Sequence, residues 1–327
     1  MNRFARIPMA LFGFLFLTFF VLSLHTIVDL ARITSDESGG ESAQYHFALF
    51  LPEESYSFFH QVAQGARTAA TEYNCALSFH PVGYGSPDLA MAHFSGIDGA
   101  VIYPNIEEQQ IRNILEQLSA DNISVVLVEH TISDDAPWTF VGTNNFDIGR
   151  KIGELIALQS SDPLQIAVVY SEKSPGIYAE KDLVGLGITS ALGKRLESPP
   201  IAKMTNLNPL DAEALIYRIL RNEPGISTIV FTDARDTLAA TQVLIDMNLV
   251  GTVQLIGFGA EETILDYVEK GILAGTVVTN PRSIGYHAIE VLSELKRNGH
   301  SAGYVDTGVS IITQSEVSTF RKVEEGK

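Results

Sequence analysis

From Tyr45 onward, short apolar runs alternate with amphipathic segments of ten to twenty residues. A run of four to eight apolar residues bounded by turn residues reads as a buried strand, and apolar positions recurring every three or four residues read as one face of a helix. The apolar runs predict strands at 45–51, 75–82, 99–103, 123–129, 139–143, 164–170, 201–205, 227–232, 252–258 and 274–279. The amphipathic stretches predict helices at 57–73, 107–121, 145–160, 178–196, 210–222, 235–248, 261–271 and 283–298. This alternation is the pattern of βα units wound on a mainly parallel sheet. Ten strands are many for one open sheet, and Thr143-Asn144-Asn145-Phe146 separates two similar series, so two α/β lobes are the simpler account. Such sheets place ligands at the carboxyl ends of their strands, and two of them face to face enclose a cleft lined by strand-to-helix turns.

The pattern ahead of Tyr45 is different. A basic tip with Arg3 and Arg6 precedes eighteen uncharged residues, Ile7 to Leu24, rich in Phe and Leu. That length is at the short end of a membrane span and beyond the usual signal-peptide core, and no small-x-small cleavage site follows. The run is an export signal or an anchor, with an uncleaved anchor the expectation and a cleaved signal peptide the alternative, and the positive-inside bias places the tip in the cytoplasm and the rest of the chain outside. The expected organisation is a cytoplasmic tip and anchor at 1–31, a Ser/Gly/Glu-rich tether at 32–44, a first lobe from 45–143 plus 280–312, a second lobe at 144–279 and a tail at 313–327.

Composition narrows the function classes. Hydrophobic residues at 46% and charged residues at 19% belong to a folded globular chain, and 327 residues exceed one minimal core. A net charge of −17 with no Lys/Arg-rich stripe repels phosphate backbones, so nucleic acid is not an expected partner. The single cysteine, Cys75, excludes an internal disulfide.

Candidate chemistry is concentrated at the strand ends. Tyr56, Phe58 and Phe59 stand at the first strand-to-helix turn, where aromatic rings either stack on a sugar face or supply the inward face of the helix. Glu129 and His130 end a strongly apolar strand, where a buried polar group needs a partner, either a ligand hydroxyl or amine or a neighbouring turn. His130 has no second histidine at metal-ligand spacing, so neither metal nor other cofactor is called for. Trp138 is either a third aromatic wall of the cleft or packing within its loop. Gly185-Leu186-Gly187 is a partial dinucleotide fingerprint inside a predicted helix, where packing accounts for its glycines.

Several stretches together carry a family resemblance. They are Phe47 through Phe58-Phe59 to Gly65-Ala66, Gly99-Ala100-Val101-Ile102-Tyr103-Pro104, Ile123 to His130, Val141-Gly142-Thr143-Asn144-Asn145 to Gly149, Ile229-Val230-Phe231-Thr232-Asp233, Leu255-Ile256-Gly257-Phe258-Gly259 and Ala274-Gly275-Thr276-Val277 ahead of Pro281. In order and spacing they resemble the type I periplasmic binding proteins, the ribose-binding-protein-like group. The resemblance implies two Rossmann-like lobes with parallel sheets, joined by three crossover strands at a hinge that closes on the ligand. It further implies stacking by Phe58 and Phe59, polar contacts from Tyr56, Glu129, His130 and Asp233, and a hinge contact from Thr279. Tyr103, Asn144 and Asp182 complete the expected ligand set. Two positions depart from the family pattern: Val184 stands where an arginine is usual, and Gly259 where an aspartate is. Lys181, Asp182, Arg235 and Glu261 are the candidates to compensate.

The expected function is therefore capture of a small polar ligand, a carbohydrate, without catalysis. Its partner is a membrane permease of the ABC type or, as the alternative, a membrane sensor kinase or chemoreceptor. An exported α/β enzyme would need a nucleophile, base and orienting group at the strand ends, and no convincing nucleophile is found there. A transcription regulator on the same core would need a helix-turn-helix ahead of residue 45, where the apolar span lies instead.

Overall fold

The computed structural model describes residues 43–52, 57–83, 87–104, 106–130, 137–159, 164–172, 180–206 and 210–325, together with Leu17, Phe19, Phe20, Val21, Ser23, Ile132, Ser174, Ile177 and Asn208. The expected anchor and tether fall almost wholly outside these residues, and no helix among the described residues is long and apolar enough to cross a membrane.

Two six-stranded sheets form. The first takes β1 (Tyr45–Leu51), β2 (Cys75–Pro81), β3 (Gly99–Ile102), β4 (Ser124–Val128), β5 (Thr139–Gly142) and β11 (Tyr304–Asp306) in the order β11-β5-β4-β3-β1-β2, all parallel. The second takes β6 (Ile166–Ser171), β7 (Ile201–Thr205), β8 (Thr228–Phe231), β9 (Gln254–Phe258), β10 (Gly275–Thr279) and β12 (Val309–Ile312) in the order β12-β10-β9-β8-β6-β7. Only β12 in that sheet runs antiparallel to its neighbour. β3, β6 and β8 are buried at every position, which is why they read as continuous apolar runs rather than alternating ones.

The helices are α1 (Ser57–Tyr73), α2 (Pro87–Ala90), α3 (Glu108–Ala120), α4 (Asn145–Gln159), α5 (Lys181–Leu192), α6 (Asp211–Asn222), α7 (Ala234–Asp246), α8 (Glu262–Glu269), α9 (Pro281–Asn298) and α10 (Val317–Glu325). They cover both faces of each sheet, leaving two apolar clusters per lobe. In the first lobe one cluster is built around Phe47, Phe59 and Ile289 and the other around Phe50, Ile111 and Leu127. α1 and α9 approach closely because both contact points are glycine. A Cβ on Gly285 would stand 1.8 Å from the Val62 carbonyl oxygen, and one on Gly65 would stand 1.9 Å from that of Arg282. Gly187 has the packing role expected of it, since a Cβ there would stand 2.1 Å from the Phe146 carbonyl oxygen.

The chain passes between the lobes three times: after β5, between β10 and α9, and between β11 and β12. The first and third passes run side by side, with the Thr307 hydroxyl donating to the Gly142 carbonyl at 3.1 Å. β12 lies within the 280–312 stretch assigned from sequence to the first lobe, yet it pairs with β10 in the second sheet. The stretch assigned to a tail carries α10, whose Val317 is fully buried. β11 and β12 escaped sequence reading because they are only three and four residues long and each is interrupted by exposed positions, leaving no apolar run of strand length.

Candidate functional site

A cavity of about 500 Å³ opens between the lobes, within the usual range for small-molecule sites. The first lobe lines it with Phe58, Phe59, Tyr103 and Glu129, and the second with Ser174, Asp233, Arg235 and Glu261, while Thr279 and Pro281 stand at a crossover. Glu129 follows β4, Asp233 follows β8 and Glu261 follows β9, so the site is assembled at the carboxyl ends of strands in both sheets.

Glu129 has φ of 65°, a left-handed conformation that few non-glycine residues adopt, and this turns it out of the strand at the cleft. The residue is half-buried as a whole, but its Oε1 is buried and has no hydrogen-bond partner. Burial raises its carboxyl to about 7; Glu180 adds to the rise, and the Thr143 backbone N–H donated to the carboxyl opposes it. A buried acceptor left unmatched costs free energy unless something supplies a donor. The adjacent His130 does not line the cavity; its Nδ1 lies 3.7 Å from Glu180 Oε1, beyond hydrogen-bond distance.

Phe58, Phe59 and Tyr103 form an edge-to-face series, with centroids 5.2 Å apart from Phe58 to Phe59 and 5.2 Å from Phe59 to Tyr103. Phe59 belongs to the apolar core of the first lobe and Phe58 packs against it, while both present surface to the cavity. Tyr56 lies outside the described residues.

Asp233 is buried and begins α7: its Oδ1 accepts the backbone N–H groups of Arg235 and Asp236 at 3.0 and 3.1 Å, and its Oδ2 accepts the Ser174 hydroxyl at 3.2 Å. Asn144 does not line the cavity; its Oδ1 accepts the Asp147 backbone N–H at 3.1 Å at the start of α4. Asp182 is exposed in the first turn of α5 and also stands apart from the cavity lining. Trp138 donates its indole N–H to Ser119 Oγ at 3.0 Å and packs beside the apolar cluster under α3, which is the loop-packing alternative.

The two departures from the family pattern have structural accounts. Val184 is fully buried, and its carbonyl would stand 2.0 Å from a Cβ on Gly149, so this position is consumed by the contact between α4 and α5. Gly259 has φ of 98°, and a Cβ there would lie 2.3 Å from Glu261 Oε2. The carboxylate of Glu261 thus occupies the space a side chain at 259 would enter, and burial raises its pKa. Of the four candidates to compensate, Arg235 and Glu261 line the cavity; Lys181 and Asp182 do not.

Ser174, Ile177, Phe258, Phe320 and Arg321 also line the cavity and were not singled out from the sequence. Phe258 was legible as the last apolar residue of a predicted strand. Ser174 and Ile177 sit in a stretch without periodicity, and Phe320 and Arg321 in what read as a tail.

A family model described as a periplasmic binding protein domain matches residues 47–300. Among solved structures, the periplasmic ribose ABC transporter protein of Conexibacter woesei DSM 14684 is 19% identical over 87% of this chain and 97% of its own, with a TM-score of 0.72. An ABC transporter periplasmic solute binding protein of Actinobacillus succinogenes 130z, solved with bound D-allose, is 15% identical over 84% of this chain and 100% of its own, with a TM-score of 0.72. The XylFII-LytSN complex contains a chain 21% identical over 83% of this one and 98% of its own, with a TM-score of 0.69. No curated protein matches at a significant level. With the model spanning most of the chain and the two-lobed topology in place, the chain belongs to the type I periplasmic binding protein family.

Proposed function

We propose that the protein is an extracytoplasmic solute-binding protein that captures a small polar ligand, a sugar, by closing its lobes, and presents it to an ABC-type transporter. The observation that carries this reading is the buried, unmatched Oε1 of Glu129 in a cavity lined from both lobes. A sugar hydroxyl supplies the missing donor, and the ring faces of Phe58 and Phe59 suit the C–H face of a sugar. Among the described residues, the lining brings aromatic rings together with carboxylates and arginines, a mix that suits a polar ring ligand. Neighbours of this fold described as a periplasmic ribose ABC transporter and as an ABC transporter solute binding protein with bound D-allose support the substrate class and partner.

Calorimetric titration of the detergent-solubilised full chain with D-ribose, D-allose, D-glucose and D-galactose tests the reading. Saturable binding of at least one sugar is expected, and a flat titration for all four rules the substrate class out. A second reading, a ligand-sensing subunit in a complex with a membrane sensor, is favoured by XylFII having been solved together with LytSN. The uncharged Ile7–Leu24 run serves either reading as an uncleaved anchor that keeps the lobes near a membrane partner. Carbonate washing is expected to leave the protein with the membranes. A mature N-terminus between residues 25 and 45 would remove the anchor.

A further inference from the structure

We propose that the C-terminal helix α10 is a specificity-determining wall of the ligand cleft, in which Phe320 shapes the cavity and Arg321 donates its Nε–H to an oxygen of the ligand. This rests on the solute-binding reading and goes beyond it, because it assigns part of the recognition to a helix that follows the matched residues 47–300.

α10 is docked rather than trailing. Val317 is fully buried, and Phe320 packs on the apolar cluster that contains Ile264, Leu265 and Val268 of α8. Arg321 then fastens the helix to a single stripe of α8. Its Nη1 donates to Glu269 Oε2 at 2.7 Å, and its Nη2 lies 2.6 Å from both Asp266 Oδ1 and Glu262 Oε1. These carboxylates stand four and three residues apart, which places them on one helical face. Gln314 adds a tie ahead of the helix by donating its side-chain amide to the Glu269 carbonyl at 2.7 Å.

With both terminal nitrogens held, the planar guanidinium has little rotational freedom, so its remaining donor has a fixed direction. That donor, Nε–H, is buried and has no hydrogen-bond partner, and Arg321 lines the same cavity as Glu129. The cavity therefore holds one buried donor without an acceptor and one buried acceptor without a donor. A ligand that satisfies both must carry acceptor and donor groups at separated positions, as the hydroxyls of a sugar do.

The test uses the full chain and D-ribose, D-allose, D-glucose and D-galactose as probes. Arg321→Lys keeps a positive charge facing the α8 stripe and removes Nε–H; it is expected to weaken the best-bound sugar about tenfold. Phe320→Leu keeps an apolar side chain against α8 and is expected to change the ranking of pentose against hexoses. Lys322→Ala, exposed on the same helix, is expected to change neither. Unchanged affinity and ranking in both Arg321→Lys and Phe320→Leu, with wild-type binding intact, overturns the inference alone. A uniform loss for every sugar together with a lower apo melting temperature also overturns it, because undocking of the helix would produce that. Failure of the wild type to bind any of the four overturns the sugar reading of the site and this inference with it.

Discussion

Glu129 joins strand, cleft and titration in one side chain. In the unfolded chain its carboxyl has the ordinary value of 4.5, and in the fold burial raises it to about 7, so between those pH values the folded protein holds the extra proton. The stability this group contributes is fully present below pH 4.5 and is lost as pH rises through 7. Wild type is therefore expected to lose on the order of 3 kcal/mol between pH 4.5 and pH 8 relative to Glu129→Gln, read from urea denaturation of the two proteins across that range. A constant difference between them would show that the carboxyl is not desolvated. Asp233 needs a different design, because it serves the helix as well as the cavity. Asp233→Ala is expected to lower apo stability by about 1 kcal/mol through loss of the cap on α7, whereas Asp233→Asn keeps an acceptor at Oδ1. Lower affinity in the Asn variant, with the apo melting temperature near wild type, would assign the residue to the ligand. Equal affinity would leave it a helix cap.

At the scale of elements, β1 to β10 and most helices were legible because their signal is local. β1, β4 and β9 emerge from apolar runs, and α1 and α9 from apolar positions at helical spacing. The contact between α1 and α9 was not legible, since nothing local tells Gly65 that Gly285 will face it. Gly285→Ala is expected to destabilise the protein by about 1–3 kcal/mol, because the added methyl meets the Val62 backbone rather than a movable side chain. Chemical denaturation checks this, and an unchanged midpoint would mean that the helices can separate at little cost. α10 was missed for a related reason. Its burial depends on α8, which ends 48 residues before α10 begins, and an eight-residue helix with a charged stripe gives no sign that an arginine will later lie on it.

For the whole molecule, a ligand that touches both lobes binds the closed arrangement better and shifts the population toward it. The radius of gyration from small-angle scattering is expected to fall on saturation with the tightest-binding sugar. At a concentration 100 times the dissociation constant, binding also adds about 2.7 kcal/mol to stability, visible as a raised melting temperature. Stabilisation without compaction would indicate that the lobes are already closed before the ligand arrives, and the hinge would then have no part in capture.

The sequence by itself determined the order of β1 to β10 and of the helices between them, the division into two α/β series and the placing of the site at strand ends, because hydrophobic periodicity and turn chemistry act between near neighbours. Phe58, Phe59 and Glu129 stood out from the residues at the strand ends, Asp233 and Thr279 came only through the family resemblance, and all five line the cavity together with Tyr103. Only the tertiary structure decided which polar groups there are spoken for. Asn144 is used to start a helix, Val184 is closed in by the contact between α4 and α5, and Glu261 fills the space beside Gly259. It also brought β12 into the second sheet and Arg321 to the cavity wall. Those outcomes depend on contacts between residues far apart in the chain, whose free energy no local pattern carries.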